Sequence, residues 1–182
     1  EGVTPNMRRA AKVINFGIIY GMGPVRLSRE LGITRAQATE YIERYFARYV
    51  GIRAFYERTL AAARQTGFVS TLHGRRRYLP DIQSDHMGRR QLAERMATNT
   101  PIQGSAADII KLAMVRLSTA LRTSRLGASM VLQIHDELLV ECPEAELNRV
   151  LGVIREAMEG AARLSVPTVV DVGTGKNWAE AH

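Results

Sequence analysis

The sequence predicts an α+β chain, a mostly helical first part followed by short antiparallel hairpins. Three observations carry this class. Segments with helical spacing, punctuated by glycine, fill residues 4–67. Residues 68–79 then alternate like a strand pair around His73-Gly74. Finally, two apolar runs, SMVLQI at 129–134 and ELLVEC at 137–142, meet across a tight turn at His135 and Asp136.

The first helix is expected over residues 7–21, MRRAAKVINFGIIYG. Thr4 can cap it, and Pro5 suits the first helical position with its fixed φ and missing N–H. Gly21, Gly23 and Pro24 should stop it. Arg8, Lys12, Phe16 and Tyr20 recur every fourth residue. Each such step advances about 40° around the axis, so the side chains form one slowly drifting stripe of two cations and two aromatics. A core-facing stripe would be aliphatic. Two cations on one face can hold a polyphosphate, and aromatics further along can stack on a base. An amphipathic helix whose Arg and Lys are merely solvated fits the same residues.

A short helix is expected over 25–31, closed by Gly32. Thr34 opens another, with Gln37 completing a capping box, and it should run to about Val50. Its positions Ala38, Tyr41, Ile42, Tyr45 and Phe46 follow helical spacing and read as a core face. A fourth helix fits 52–66, closed by Gly67. Residues 68–72 and 75–79 read as a hairpin. Arg75, Arg76 and Arg77 beside Tyr78 make a dense basic point, suited either to a nucleic-acid backbone or to a charged edge that resists aggregation. After a loop at 80–85, a helix over 86–99 should end before Pro101, because the residue before proline avoids the helical region. Ser105 and Asp108 open a long helix to about Thr123. Pro143 and Glu144 start a last amphipathic helix to about Ala162, and the VPTVVDVG run ending at Gly173 reads as a closing strand.

The turn between the two apolar strands presents His135, Asp136 and Glu137 together. Ionised carboxylates at the end of apolar strands are costly unless solvated or bound to a metal. A plain polar hairpin turn and a Mg²⁺ ligand both fit, since Mg²⁺ favours one or two carboxylates plus substrate phosphates. The 182 residues suffice for one domain or for part of a larger one, with 46% hydrophobic and 24% charged residues. No apolar run approaches the roughly 20 residues of a membrane span, so no membrane partner is expected. The net charge of +7 inclines the chain toward a polyanion, although an inert basic surface fits too. Cys142 is the single cysteine, which excludes an internal disulfide and suits a reducing compartment. It reads as a small packed residue rather than a nucleophile. The chain starts at Glu1 with a capped helix at once, without a signal-peptide pattern, so it is expected to be cut from something longer.

The Arg-x3-Lys-x3-Phe-x3-Tyr-Gly pattern of residues 8–21, with Asn15 and Gly17, resembles motif B of the family A DNA polymerases, of the bacterial DNA polymerase I type. Gln133-Ile134-His135-Asp136-Glu137 resembles motif C of the same family. The AERMATNTPIQGSAA segment at 93–107 and the Lys176-Asn177-Trp178 end are similar to the family as well. Motif order and spacing agree over essentially all 182 residues. The resemblance implies part of a right-hand polymerase, with fingers helices and hairpin at 1–80 and a portion of the antiparallel palm sheet at 81–182.

It implies roles as well. Arg8 and Lys12 meet the triphosphate, Phe16 lies against sugar and base, and Tyr20 sits where the templating base enters. Arg95, Asn99 and Gln103 fall along the template and the primer minor groove, where amides can test pair shape without reading sequence. His135 lies close to the primer terminus, Asp136 is a metal ligand, and Glu137 supports the site. The implied chemistry is two-metal phosphoryl transfer with Mg²⁺, with Lys12 placed to neutralise the triphosphate and to donate a proton to the leaving group. Primer-template DNA, dNTPs and the upstream polymerase segments (motif A strand, thumb) are the implied partners, in a bacterial cytosol. The family's second aspartate lies on a strand before motif B, outside these residues, so the chain by itself is expected to be inactive. Two rivals remain at this point. A single-subunit RNA polymerase shares the Arg, Lys and Tyr-Gly, although Phe16 and the His-Asp-Glu turn favour the DNA enzyme. A non-catalytic DNA-binding module is allowed by the charge.

Overall fold

Thr4 caps the first helix as its sequence suggests. The computed structural model describes residues 2–181 and places α1 at Pro5–Ile19, with the Thr4 hydroxyl oxygen accepting from the Met7 N–H. The chain forms two units, Glu1–Ser105 and Ala106–His182.

In the first unit, α1 ends in a Schellman arrangement. Gly21 sits at φ +77°, its N–H donates to Ile18 O at 3.0 Å, and the Met22 N–H donates to Gly17 O at 2.8 Å. Only glycine adopts that φ without a Cβ penalty. α2 (Pro24–Leu31) follows at once and packs on α3 (Arg35–Arg48); Leu27 on the first and Ala38 on the second are fully buried. Thr34 and Gln37 close the predicted capping box at the start of α3. Tyr45 is buried on α3 as expected, but Tyr41 is 46% exposed. Helical spacing identifies a face, and α3 buries only the part of that face covered by its neighbours. α4 (Val50–Thr66) ends at Gly67.

The hairpin pairs β1 (Phe68–Ser70) with β2 (Arg76–Tyr78), Phe68 opposite Tyr78 and Ser70 opposite Arg76. Ala63, Val69, Leu79, Ile82, Ala93 and Ala97 form the core beneath it, joining α4 to α5 (Met87–Asn99). The expected stop before Pro101 does not occur. Thr100 stays helical at φ −60°, ψ −43°, and a π-helical turn at Thr100–Gly104 carries the chain directly into α6 (Ser105–Thr123). The wider turn accommodates a proline that offers no N–H to the ladder. Thr100 Oγ1 donates to Met96 O at 2.7 Å, and the Ser105 hydroxyl donates to Pro101 O.

In the second unit, Leu117 and Leu121 of α6 pack with Leu126, Val150 and Ala157. Met130, Leu138, Val140 and Cys142 lie against this core, so the cysteine packs as expected. β3 (Ser129–Ile134) and β4 (Glu137–Glu141) pair antiparallel, with a bulge between Met130 and Leu132. A single 3₁₀ turn, Glu144–Glu146, precedes α7 (Leu147–Glu159), shorter than the helix expected to residue 162. The closing strand is not formed. Residues 166–173 are irregular and Val169 is 80% exposed. Each sheet among the described residues has only two strands, and an unpaired extended run has no ladder to join. The Val170 N–H instead donates to a Glu159 carboxylate oxygen at 3.1 Å. A short helix, α8 (Trp178–Ala181), comes last.

Candidate functional site

The stripe on α1 stands in water. Arg8, Lys12, Phe16 and Tyr20 are all exposed, while Gly17 and Ile18 on the other face are buried. This division follows from the sequence, because the apolar residues Ile14 and Ile18 take the covered face. The Phe16 and Tyr20 rings lie stacked, 6.4 Å apart and 12° from parallel, one helical turn from each other. The chain therefore offers two cations and then a flat aromatic platform along one line.

An open cavity of about 600 Å³ adjoins the aromatic end, lined by Phe16, Tyr20, Gly21, Met22, Arg26 and Arg95 among others. Of the three residues expected on the DNA track, Arg95 reaches this cavity. A Cβ at Gly21 would lie 3.3 Å from the Arg95 stem, so glycine permits both the turn and this close approach. Asn99 stands at the end of α5 with a buried Oδ1 that has no hydrogen-bond partner among the described residues. Gln103 is exposed within the π-helical turn. A π turn inserted in a helix often marks a functional site, and here it starts directly after Asn99 and contains Gln103. Arg8 and Lys12 lie along the helix away from the cavity lining.

The basic hairpin is partly engaged in local contacts. The Arg76 guanidinium lies 4.5 Å above the Phe68 ring, and Arg77 Nη1 donates to Thr100 Oγ1 at 3.4 Å. Sequence reasoning did not single out Met22, Arg26 or Glu30, which line the cavity. The Arg26–Glu30 pair, 3.8 Å apart at i,i+4 spacing, was the available signal. Tyr45 and Tyr56 were also missed as site elements, and they bond to α1 itself.

In the second unit, His135 and Asp136 form the two-residue turn between β3 and β4, with Ile134 opposite Glu137. His135 sits at φ +53°, and Gln133 Nε2 donates to its carbonyl at 2.9 Å. His135, Asp136 and Glu137 are all exposed at the strand end. Among the described residues no group of three His, Cys, Asp or Glu is close enough to hold a metal ion. Asp136, the expected metal ligand, is exposed in the turn, and Glu137 is the next residue at the start of β4. No helix among the described residues is long and apolar enough to cross a membrane.

Comparison with known proteins concerns the chain as a whole. The sequence profile of DNA polymerase family A matches residues 1–180. DNA polymerase I of Pseudomonas aeruginosa is 52% identical over 182 residues, which are 100% of this chain and 20% of the relative. The thermostable DNA polymerase I of Thermus thermophilus is 51% identical over 181 residues, 100% of this chain and 22% of its own length. Among solved structures, the POL domain of Pol1 from M. smegmatis, in complex with DNA primer-template and dNTP, superposes with a TM-score of 0.95 at 42% identity. That match covers 98% of this chain and 32% of the other. The chain spans about a fifth of the length of the curated relatives it matches.

Proposed function

Since the chain belongs to DNA polymerase family A, we propose that it supplies the nucleotide-binding helix and a catalytic carboxylate turn of a DNA-directed DNA polymerase. The observation that carries this reading is the exposed Arg8–Lys12–Phe16–Tyr20 stripe beside a cavity of about 600 Å³, in a chain whose relatives are DNA polymerases. The reaction is template-directed nucleotidyl transfer. The primer 3′-oxygen bonds to the α-phosphorus, the bond to the bridging oxygen breaks, and pyrophosphate leaves. The rival readings, a single-subunit RNA polymerase and a non-catalytic DNA-binding module, are not favoured by these relatives.

Arg8 and Lys12 bind the triphosphate, and Lys12 donates a proton to the departing pyrophosphate. Phe16 orients the sugar and base by stacking, and Tyr20 occupies the place through which the templating base enters. Arg95, Asn99 and Gln103 track the template and the primer minor groove. The orphaned Asn99 Oδ1 is an acceptor that a DNA or water donor can satisfy. His135 approaches the primer terminus. Asp136, supported by Glu137, would hold Mg²⁺, and a second aspartate would come from outside these residues. When bound, the ions lower the pKa of the primer hydroxyl and neutralise charge on the leaving group. Residues 1–80 then serve as fingers helices and hairpin and 81–182 as part of the palm, in a cytosolic enzyme. Primer-template DNA, dNTPs and the remaining polymerase segments are its partners.

Mg²⁺-dependent dNTP binding tests the reading. Lys12→Ala and Asp136→Asn should both weaken it, whereas a module that only binds DNA would keep its DNA affinity and ignore both changes. The 182 residues on their own are expected to extend no primer. An extension product abolished by Asp136→Ala would overturn that expectation.

A further inference from the structure

The last turn of α1 leaves one carbonyl for a side chain to hold. Phe16 O accepts from the Tyr20 N–H at 3.0 Å, Gly17 O from Met22 at 2.8 Å, and Ile18 O from Gly21 at 3.0 Å. Among the described residues no backbone amide reaches Ile19 O. The Tyr56 hydroxyl, on α4, donates to it and lies 3.3 Å from Ile18 O. Helix-end carbonyls lack intrahelical donors, so this phenol completes the C-terminus of α1 from a different helix.

The phenol is held in place for that task. Its ring packs against Phe46 and Phe55, each with centroids 5.9 Å away. A second tether runs from the Tyr45 hydroxyl of α3 to Asn15 Oδ1 at 2.8 Å, one residue before Phe16. Burial first, then the neighbouring Tyr45 and Tyr20 phenols, push the Tyr56 phenol up to about 12, so it stays a donor at neutral pH. Tyr20, the residue after Ile19, lines the cavity together with Phe16.

We propose that Tyr56 is a positioning residue for nucleotide selection, its hydroxyl fixing the end of α1 and with it the stance of Tyr20 and Phe16. The proposal rests on the polymerase reading above. Tyr56→Phe keeps the packed ring and removes only the donor. The Ile19 carbonyl lies at a partly exposed helix end, where water can replace the lost bond, so the fold persists while the fixed stance is lost.

The test uses the natural full-length polypeptide carrying these residues, as wild type, Tyr56→Phe and, as a control, Tyr41→Phe on the exposed side of α3. Correct and incorrect nucleotide insertion are measured with the melting temperature. Tyr56→Phe should raise KM for the correct dNTP about threefold or more, with kcat within about twofold, and lower the correct-to-incorrect ratio of kcat/KM about three- to tenfold. Its melting temperature should stay within about 3 °C of wild type, and Tyr41→Phe should match wild type throughout. Unchanged selection in Tyr56→Phe overturns the proposal. A variant that fails to fold, or that loses kcat and stability together with its selection intact, overturns it equally, because the hydroxyl would then serve the fold alone. A wild type that binds DNA but adds no nucleotide removes the polymerase reading itself and the proposal with it, an outcome distinct from a working wild type with an unaltered variant.

Discussion

Phe16 keeps 52% of its surface in water, on a helix whose opposite face is buried. A side chain so placed adds little to the fold. Phe16→Ala should therefore weaken dNTP binding by roughly 1–3 kcal/mol, the worth of an aromatic stack on a base, with almost no change in melting temperature. Nucleotide titration and a thermal melt of the same sample check both halves. An unfolded variant with unchanged affinity per folded molecule would make Phe16 a core residue. Tyr56 gives a second expectation at this scale. Its phenol titrates near 12 in the folded chain against an ordinary value of 10.0. Below pH 10.0 both states are protonated and the stability is intact; between there and about 12 the unfolded chain ionises first and stability is lost. Denaturant midpoints at about pH 9 and about pH 11.5 should show that loss in wild type and a smaller one in Tyr56→Phe. The Thr4 cap, the Thr34–Gln37 box and the His135-Asp136 turn were legible because each is written in adjacent residues. The Tyr56 bond to Ile19 joins residues 37 apart, and no local pattern announces such a contact.

At the scale of elements, the sequence indicated helices more reliably than their ends or partners. α1 and α3 start where their threonine caps predict, since those signals act within one turn, but α3 ends at Arg48 and α4 already starts at Val50, so Gly51 lies inside α4 rather than between the two helices. Pro101 misled because a proline can also be absorbed by a π-helical turn, and Thr100 and Ser105 hydroxyls bonding back to carbonyls support it. The VPTVVDVG run misled in a different way: strand propensity describes a segment, but a strand exists only with a partner. α6 carries the core of the second unit, with Leu117 wholly buried among Leu121, Leu126 and Val150. Leu117→Ala should cost about 2–5 kcal/mol, the range for deleting a fully buried leucine, and urea unfolding measures it directly. The same substitution at Leu132, which is 48% exposed on β3, should cost much less.

For the whole molecule, the profile of DNA polymerase family A matches residues 1–180, and the chain spans about a fifth of the length of the curated relatives it matches. Charge is compatible with the proposed activity without specifying it. A net charge of +7 favours a polyanion, and any DNA binding should fall steeply with salt. On the proposed reading, specificity and chemistry would rest on the α1 stripe and the Asp136 turn, which lie in separate units of the chain. The decisive measurement is primer extension by the natural full-length polypeptide with Mg²⁺, comparing dNTPs with rNTPs and wild type with Asp136→Ala. Template-directed addition of dNTPs is expected, with rNTPs poorly used and the Asp136→Ala rate reduced at least about a hundredfold, since metal stabilisation of the transition state is worth several kcal/mol. DNA binding without extension, or extension that Asp136→Ala leaves unchanged, would contradict the assignment of this turn to catalysis.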